Sequence, residues 1–240
     1  MEWCSKGREI IRPEMTAVDL PVDKAIICFT EGFYPRLVKC FGLSDAKRAP
    51  HISACHRGRL GKHVALYKSE VGAPAVAMAM EVMIASGVRR ILMLGLAGSL
   101  VSSCQIGSIV IPTWGVREEG TSYHYIRSNV RPKPSAAFVK ELVAGLSDLE
   151  PRLGGVWSTD APYRETVAKV KEYAGRGVLA VDMETTAMMA VAMRRKAEFA
   201  AVLTISDSVY GADWDPAFGT RRLNRARDLV CEKASQVMLG

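Results

Sequence analysis

Three segments of this sequence place chemically capable residues where an apolar run gives way to a turn. Val178 to Val181 runs into Asp182-Met183-Glu184, Phe199 to Ile205 into Ser206-Asp207, and Arg90 to Leu94 into Gly95-Leu96-Ala97-Gly98-Ser99. The first sets two carboxylates at a strand-to-helix junction with Met183 as flexible apolar surface between them. The second ends a buried strand on an acid that burial can keep protonated. The third offers backbone with few side chains in the way, so a ligand can approach closely. Each has an ordinary explanation too, since an Asp at a strand end serves more often as a helix N-cap than as a catalyst. Order and spacing together make the stronger case.

The positioning elements follow from hydrophobic pattern and punctuation. Ala25 to Phe29 reads as a buried strand entering the turn Thr30-Glu31-Gly32, and His63 to Tyr67 as a second strand. Pro74 near the start and Gly87 past the end bound a helix over 74–86 that is apolar almost all round and therefore buried. Arg90 to Leu94 reads as a central strand that breaks at Gly95, and Gln105 to Pro112 as a turn and strand. Glu118 to Tyr125 is polar and aromatic, and Ser135 to Leu146 has helical spacing. Residues 150–166, with Gly154-Gly155 and Pro162, read as an exposed loop before a helix reaching about Tyr173. A helix from Glu184 to about Lys196 and an amphipathic one over 220–238 complete the chain. Strands that alternate with helices and are apolar throughout imply one α/β domain spanning 1–240, a mixed sheet covered on both faces, with ligands at the carboxyl ends of its strands.

Composition narrows the class. Hydrophobic residues make up 49% of 240 and charged residues 24%, which is the balance of a globular chain. The longest apolar stretches fall short of the roughly 20 residues a membrane helix needs, and the start lacks a secretory pattern, so a cytoplasmic location without membrane partners is expected. The net charge of +7 is spread out and lacks aromatic interleaving, which favours attraction for small anions over nucleic acid. Six cysteines without a Cys-x-x-Cys pair read as buried thiols, and the histidines at 51, 56, 63 and 124 lack metal-ligand spacing.

In these motifs the sequence resembles the nucleoside phosphorylase family, which includes hexameric purine nucleoside phosphorylases, uridine phosphorylases and the methylthioadenosine/S-adenosylhomocysteine nucleosidases. The likeness runs from about Ala25 to Asp207. It rests on Gly72-Ala73-Pro74, Leu94 to Gly98, Ile106 to Val110, Gly120 to Tyr125, Val181 to Glu184 and Ser206-Asp207. The resemblance implies a single domain whose mixed sheet forms a distorted barrel flanked by helices, assembled as a homo-oligomer (dimer or hexamer), with no metal or organic cofactor. It implies that Glu184 binds the ribose hydroxyls, Met183 packs under the sugar, Asp207 protonates a purine at N7, and Tyr163 stacks on the base. Asp182, Ala97, Gly98 and Ser206 complete the substrate site, and His124 is a candidate for the sugar's 5′ end.

The anion site departs from the family. Gly32 and Arg36 keep the Gly-x-x-x-Arg spacing of the first phosphate loop, and Lys47 and Arg48 lie near the position of an arginine lent by a neighbouring subunit. Met93 and Leu96, however, stand where phosphorylases have Arg and Ser or Thr, and buried phosphate needs paired donors. The expectation is phosphorolysis of a purine nucleoside to free base and ribose 1-phosphate, with nucleoside and phosphate as the partners. Three alternatives stay open: a nucleosidase using water, with Glu31 near its base; uridine-type specificity, which Gly120 to Tyr125 favours; and a silent nucleoside-binding protein on the same scaffold.

Overall fold

The computed structural model describes residues 3–4, 7–29, 32–43, 57–211 and 213–240. Its strands are β1 (Lys24–Cys28), β2 (Arg57–Leu60), β3 (Ala65–Lys68), β4 (Arg90–Ser99), β5 (Ile109–Glu118), β6 (Arg152–Thr159), β7 (Val178–Asp182), β8 (Glu198–Ser208) and β9 (Asp215–Pro216). The helices are α1 (Tyr34–Cys40), α2 (Ala73–Ala85), α3 (Ala136–Gly145), α4 (Val167–Gly175), α5 (Thr185–Arg195) and α6 (Arg221–Leu239). The nine strands among the described residues join one mixed sheet, ordered β2-β3-β1-β4-β7-β6-β5-β8-β9, and β8 also pairs with β4. That extra pairing closes β4, β7, β6, β5 and β8 into a distorted barrel, as the family likeness implied, with β1, β3 and β2 extending from β4.

Both faces of the sheet are buried, which explains the uniformly apolar strands. Ala25, Ile27, Ile91 and Met93 pack under α2 and α5, while Ile26, Cys28, Leu92 and Leu94 pack under α1, α3 and α6. Helix α2 starts and stops as its punctuation requires: Pro74 lies in its first turn, and Gly87 follows its end at a φ of 104°. Nine of its thirteen residues are buried, and Met78 is exposed. Thr220 caps α6 by accepting from the Leu223 amide.

Three sequence readings need correction. The central strand does not break at Gly95; β4 continues through Gly98 to Ser99. The interval read as an exposed loop contains β6, a barrel strand whose residues from Val156 to Thr159 are buried. Its glycines are packing sites, because a Cβ on Gly154 would lie 2.6 Å from Leu179 and one on Gly155 2.5 Å from the Trp114 indole. Of the described cysteines, Cys28, Cys104 and Cys231 are buried thiols, but Cys40 is exposed at the end of α1.

Because Trp114 fills the side-chain space of Gly155, Gly155→Ala forces an overpacked barrel wall. Urea unfolding is expected to show a loss of about 1–3 kcal/mol. A loss below about 0.5 kcal/mol, ordinary for a neutral surface change, would contradict this packing account.

Candidate active site

The carboxyl ends of β4, β7 and β8 open on a cavity of about 610 Å³. Its apolar walls come from Phe29, Val71, Leu96, Val181, Val209, Trp214 and Phe218, and its polar groups include Glu165, Asp182, Glu184, Ser206 and Asp207. Ala97, Gly98, Pro162, Tyr163 and Met183 complete the lining. Thus Ala97, Gly98, Asp182, Met183, Glu184, Ser206 and Asp207 reach one cavity, with Tyr163 at its rim.

Glu184 is held by backbone. Its two carboxylate oxygens accept from the Gly72 amide at 2.7 Å and the Met183 amide at 3.2 Å. Gly72 adopts φ 111°, a conformation that favours glycine, so the turn before α2 can aim its amide at Glu184. Burial pushes the Glu184 carboxyl well above the usual range, and the neighbouring Asp182 charge pushes it further, against the pull of those two amides. Asp182 is raised by burial as well, but it faces donors from Ser158 at 2.5 Å, the Thr185 amide at 3.1 Å and the Thr185 hydroxyl. Those donors favour the ionised state of Asp182. Asp182 therefore fixes the start of α5 and works against ionisation of Glu184.

Asp207 depends on an irregularity in the sheet. The β4–β8 register moves from Ala97 opposite Ile205 to Gly98 opposite Asp207, leaving Ser206 as the extra residue of a bulge. A bulge changes which face the following side chain takes, so Asp207 leaves the core face that Ile205 occupies. A Cβ on Gly98 would lie 3.0 Å from the carboxylate, so glycine gives the acid room. One oxygen of Asp207 accepts from Ser206 at 2.6 Å and the other from the Trp214 indole at 2.8 Å.

Sequence reading missed Glu165, Trp214 and Phe218. Glu165 makes no side-chain hydrogen bond or ion pair among the described residues, and its carboxyl is pushed up to about 7 by burial and by the nearby charge of Asp207. Its place two residues after Tyr163 was the available signal. Trp214 and Phe218 lie in an irregular stretch, and only the fold turns them to the cavity.

Other expected residues lie elsewhere. Tyr163 sits at the rim with its side chain 99% exposed. His124 is not in the lining, and its ring stacks on Trp3 at 5.2 Å. Gly32 and Arg36 are also outside the lining. Arg36 is turned toward α6, where it pairs with Asp228, donates to the Gly32 carbonyl at 2.6 Å and reaches Asn224 at 3.4 Å. Met93 is buried in the core, its sulfur accepting from Thr185 at 3.4 Å, while Leu96 faces the cavity. Glu31, Lys47, Arg48, His51 and His56 lie outside the described residues. Among the described residues no group of His, Cys, Asp and Glu is arranged to hold a metal, and no helix is long and apolar enough to cross a membrane.

The closed barrel agrees with the comparisons to known proteins. The model of the phosphorylase superfamily matches residues 23–237, and the chain belongs to that superfamily. A guanosine phosphorylase of Halorubrum lacusprofundi is 28% identical over 183 residues, covering 75% of this chain and 76% of that protein. A DeoD-type purine nucleoside phosphorylase of Bacillus cereus is 28% identical over 154 residues, which is 62% of this chain and 66% of that protein. Among solved structures, uridine phosphorylase from Vibrio fischeri superimposes with a TM-score of 0.77 at 21% identity, covering 94% of both chains. Purine nucleoside phosphorylase from Toxoplasma gondii, in complex with immucillin-H, gives 0.77 at 15% identity, covering 98% of this chain and 97% of that one.

The raised carboxyls have a stability consequence. A carboxyl whose folded pKa exceeds its unfolded value stabilises the fold fully at low pH, and that contribution is lost as pH rises toward the folded pKa. Both Glu165 and Glu184 are shifted in this sense. Glu184→Gln removes the ionisation while keeping an acceptor for the Gly72 amide, so its melting temperature should exceed the parent's at about pH 9 and converge with it near pH 5. Parallel melting curves at both pH values would show that Glu184 ionises without cost.

Proposed function

We propose that this chain is a nucleoside phosphorylase acting on purine nucleosides: phosphate displaces the base at the ribose C1′, giving ribose 1-phosphate and free purine. The observation that carries the reading is the buried Glu184 carboxylate, held by two amides and presented to a cavity that also contains Met183 and Asp207. Membership of the phosphorylase superfamily supports the reaction class.

In the proposed mechanism the sugar lies over Met183 with its hydroxyls donating to Glu184. As the glycosidic bond lengthens, positive charge grows on the ribose, and a desolvated carboxylate stabilises it better than water would. Hydroxyl donors also relieve the cost of ionising Glu184, so binding of the nucleoside brings out the charge that the reaction needs. The base occupies the slot formed by Phe29, Leu96, Val209, Trp214 and Phe218, with Tyr163 at its mouth. The bonding electrons leave with the base, and protonation at N7 makes it a neutral leaving group. Asp207 delivers that proton, and Glu165, its carboxyl pushed up to about 7 by burial and by the nearby charge of Asp207, is the carboxyl from which Asp207 is resupplied. Purine specificity is supported by these two acids at the base end of the cavity and by the names of the two relatives. The reaction requires no metal or organic cofactor, and a homo-oligomer remains the expected assembly.

One observation favours a second reading. Among the described lining residues there is no Lys or Arg, while four carboxylates are present, and this is also how a site using water would look. Base release from inosine, guanosine, adenosine and uridine, measured with and without phosphate, separates the two. Phosphorolysis predicts purine release only with phosphate and ribose 1-phosphate as the sugar product; undiminished release without phosphate, giving free ribose, makes the chain a nucleosidase.

Asp207→Asn is expected to lower kcat on purine nucleosides by about a hundredfold or more, with a much smaller change in KM. Glu165→Gln should remove the decline in kcat that accompanies a pH rise through about 7. Full activity in the Asn variant would take Asp207 out of the chemistry, and an unchanged pH profile in the Gln variant would do the same for Glu165.

A further inference from the structure

Helix α6 carries an arginine where its periodicity calls for an apolar side chain. Leu223, Val230, Cys231, Ala234 and Met238 form the buried stripe of this helix, and Arg227 lies on it, only 8% exposed. Its guanidinium lies against the backbone of Gly32, where a Cβ would come within 2.8 Å of Cζ, and sits 5.8 Å from the centre of the Phe33 ring. No carboxylate pairs with it among the described residues. Its one hydrogen bond there is from Nη1 to the Asn224 amide oxygen at 3.3 Å, and its buried Nε has no acceptor. Burial works against its charge, and the adjacent Arg36 adds to the effect.

A buried guanidinium without a counter-ion costs several kcal/mol, and a second cation beside it adds repulsion. An oxyanion would relieve both. The neighbouring loop is suited to receiving one, because Gly32 brings no side chain and leads into α1. Phe29, three positions before Gly32, lines the cavity. Arg36, the residue of this loop expected to hold the anion, is already engaged by Asp228, the Gly32 carbonyl and Asn224. Arg227 has the uncommitted donors.

We infer that Arg227 is a phosphate ligand of this enzyme, a guanidinium from the last helix serving where Met93 and Leu96 offer no donors. The inference rests on the phosphorolytic reading above. Gly32 is then needed for the close approach of the Arg227 guanidinium, and Arg36 with Asp228 holds the ends of α1 and α6 together around it.

The test measures initial rates of guanosine and inosine cleavage at varied inorganic phosphate for the full-length protein and its Arg227→Gln and Arg227→Lys variants. Arg225→Gln, an exposed position on the same helix, controls for the change in net charge. Loss of a charge-assisted donor should raise the phosphate KM at least roughly tenfold in the Gln variant, less in the Lys variant, and leave the nucleoside KM within about twofold. The control should leave both constants unchanged. Phosphate without nucleoside should raise the melting temperature of the parent, less so that of the Lys variant and not that of the Gln variant; if the Gln variant does not fold, the Lys variant and this measurement carry the test. A phosphate-dependent reaction with a parental phosphate KM in the variants overturns the role of Arg227 and leaves phosphorolysis standing. A reaction indifferent to phosphate in the parent overturns the phosphorolytic reading itself.

Discussion

The pairing of β8 with β4 organises this protein. It turns an open sheet into a closed barrel, and it brings the carboxyl ends of β4 and β8 side by side. The bulge at Ser206 in that pairing puts Asp207 opposite Gly98, and the missing side chain of Gly98 makes room for the carboxylate. β7 joins the same end of β4 through Gly98 and Ser99, which delivers Asp182, Met183 and Glu184 to the same cavity. A shift of one residue in the β4–β8 ladder would turn the acid toward the wrong face, because side-chain direction along a strand alternates with each residue.

Around that constraint the cavity concentrates negative charge. Four carboxylates line it, and no Lys or Arg does so among the described residues. Apolar walls and mutual repulsion raise Glu165 and Glu184, whereas Asp182 and Asp207 are supplied with protein donors. The result is two raised carboxyls, Glu165 and Glu184, beside two that accept hydrogen bonds from the protein. That asymmetry suits a reaction needing a stabilising charge at the sugar and a transferable proton at the base. It also weakens the fold at neutral pH, as is common where a site is kept ready for a ligand that supplies the missing donors.

Positive charge is held one layer away, at the contact between α1 and α6. Arg36 and Arg227 face the same loop from different helices, one committed to protein acceptors and the other largely without them. The cavity is thus lined by acids, while the Arg227 guanidinium packs against Gly32 outside the lining.

The sequence by itself determined every described helix except α1, most of the strands, and the strand-end motifs by which Glu184, Met183, Asp182, Asp207, Ser206, Ala97 and Gly98 reach one cavity. Those features are local: strand-ending motifs, a proline and a glycine at helix limits, and apolar runs state their roles within a few residues. What only the tertiary structure decided comes from contacts distant along the chain. Gly154 and Gly155 read as loop residues because the Leu179 and Trp114 side chains that require them are far away in sequence. Glu165, Trp214 and Phe218 gained their places from loops that carry no periodic signal. The different partners of Arg36 and Arg227 were set when α6 folded against α1, since a guanidinium's availability depends on which acceptors the fold puts beside it.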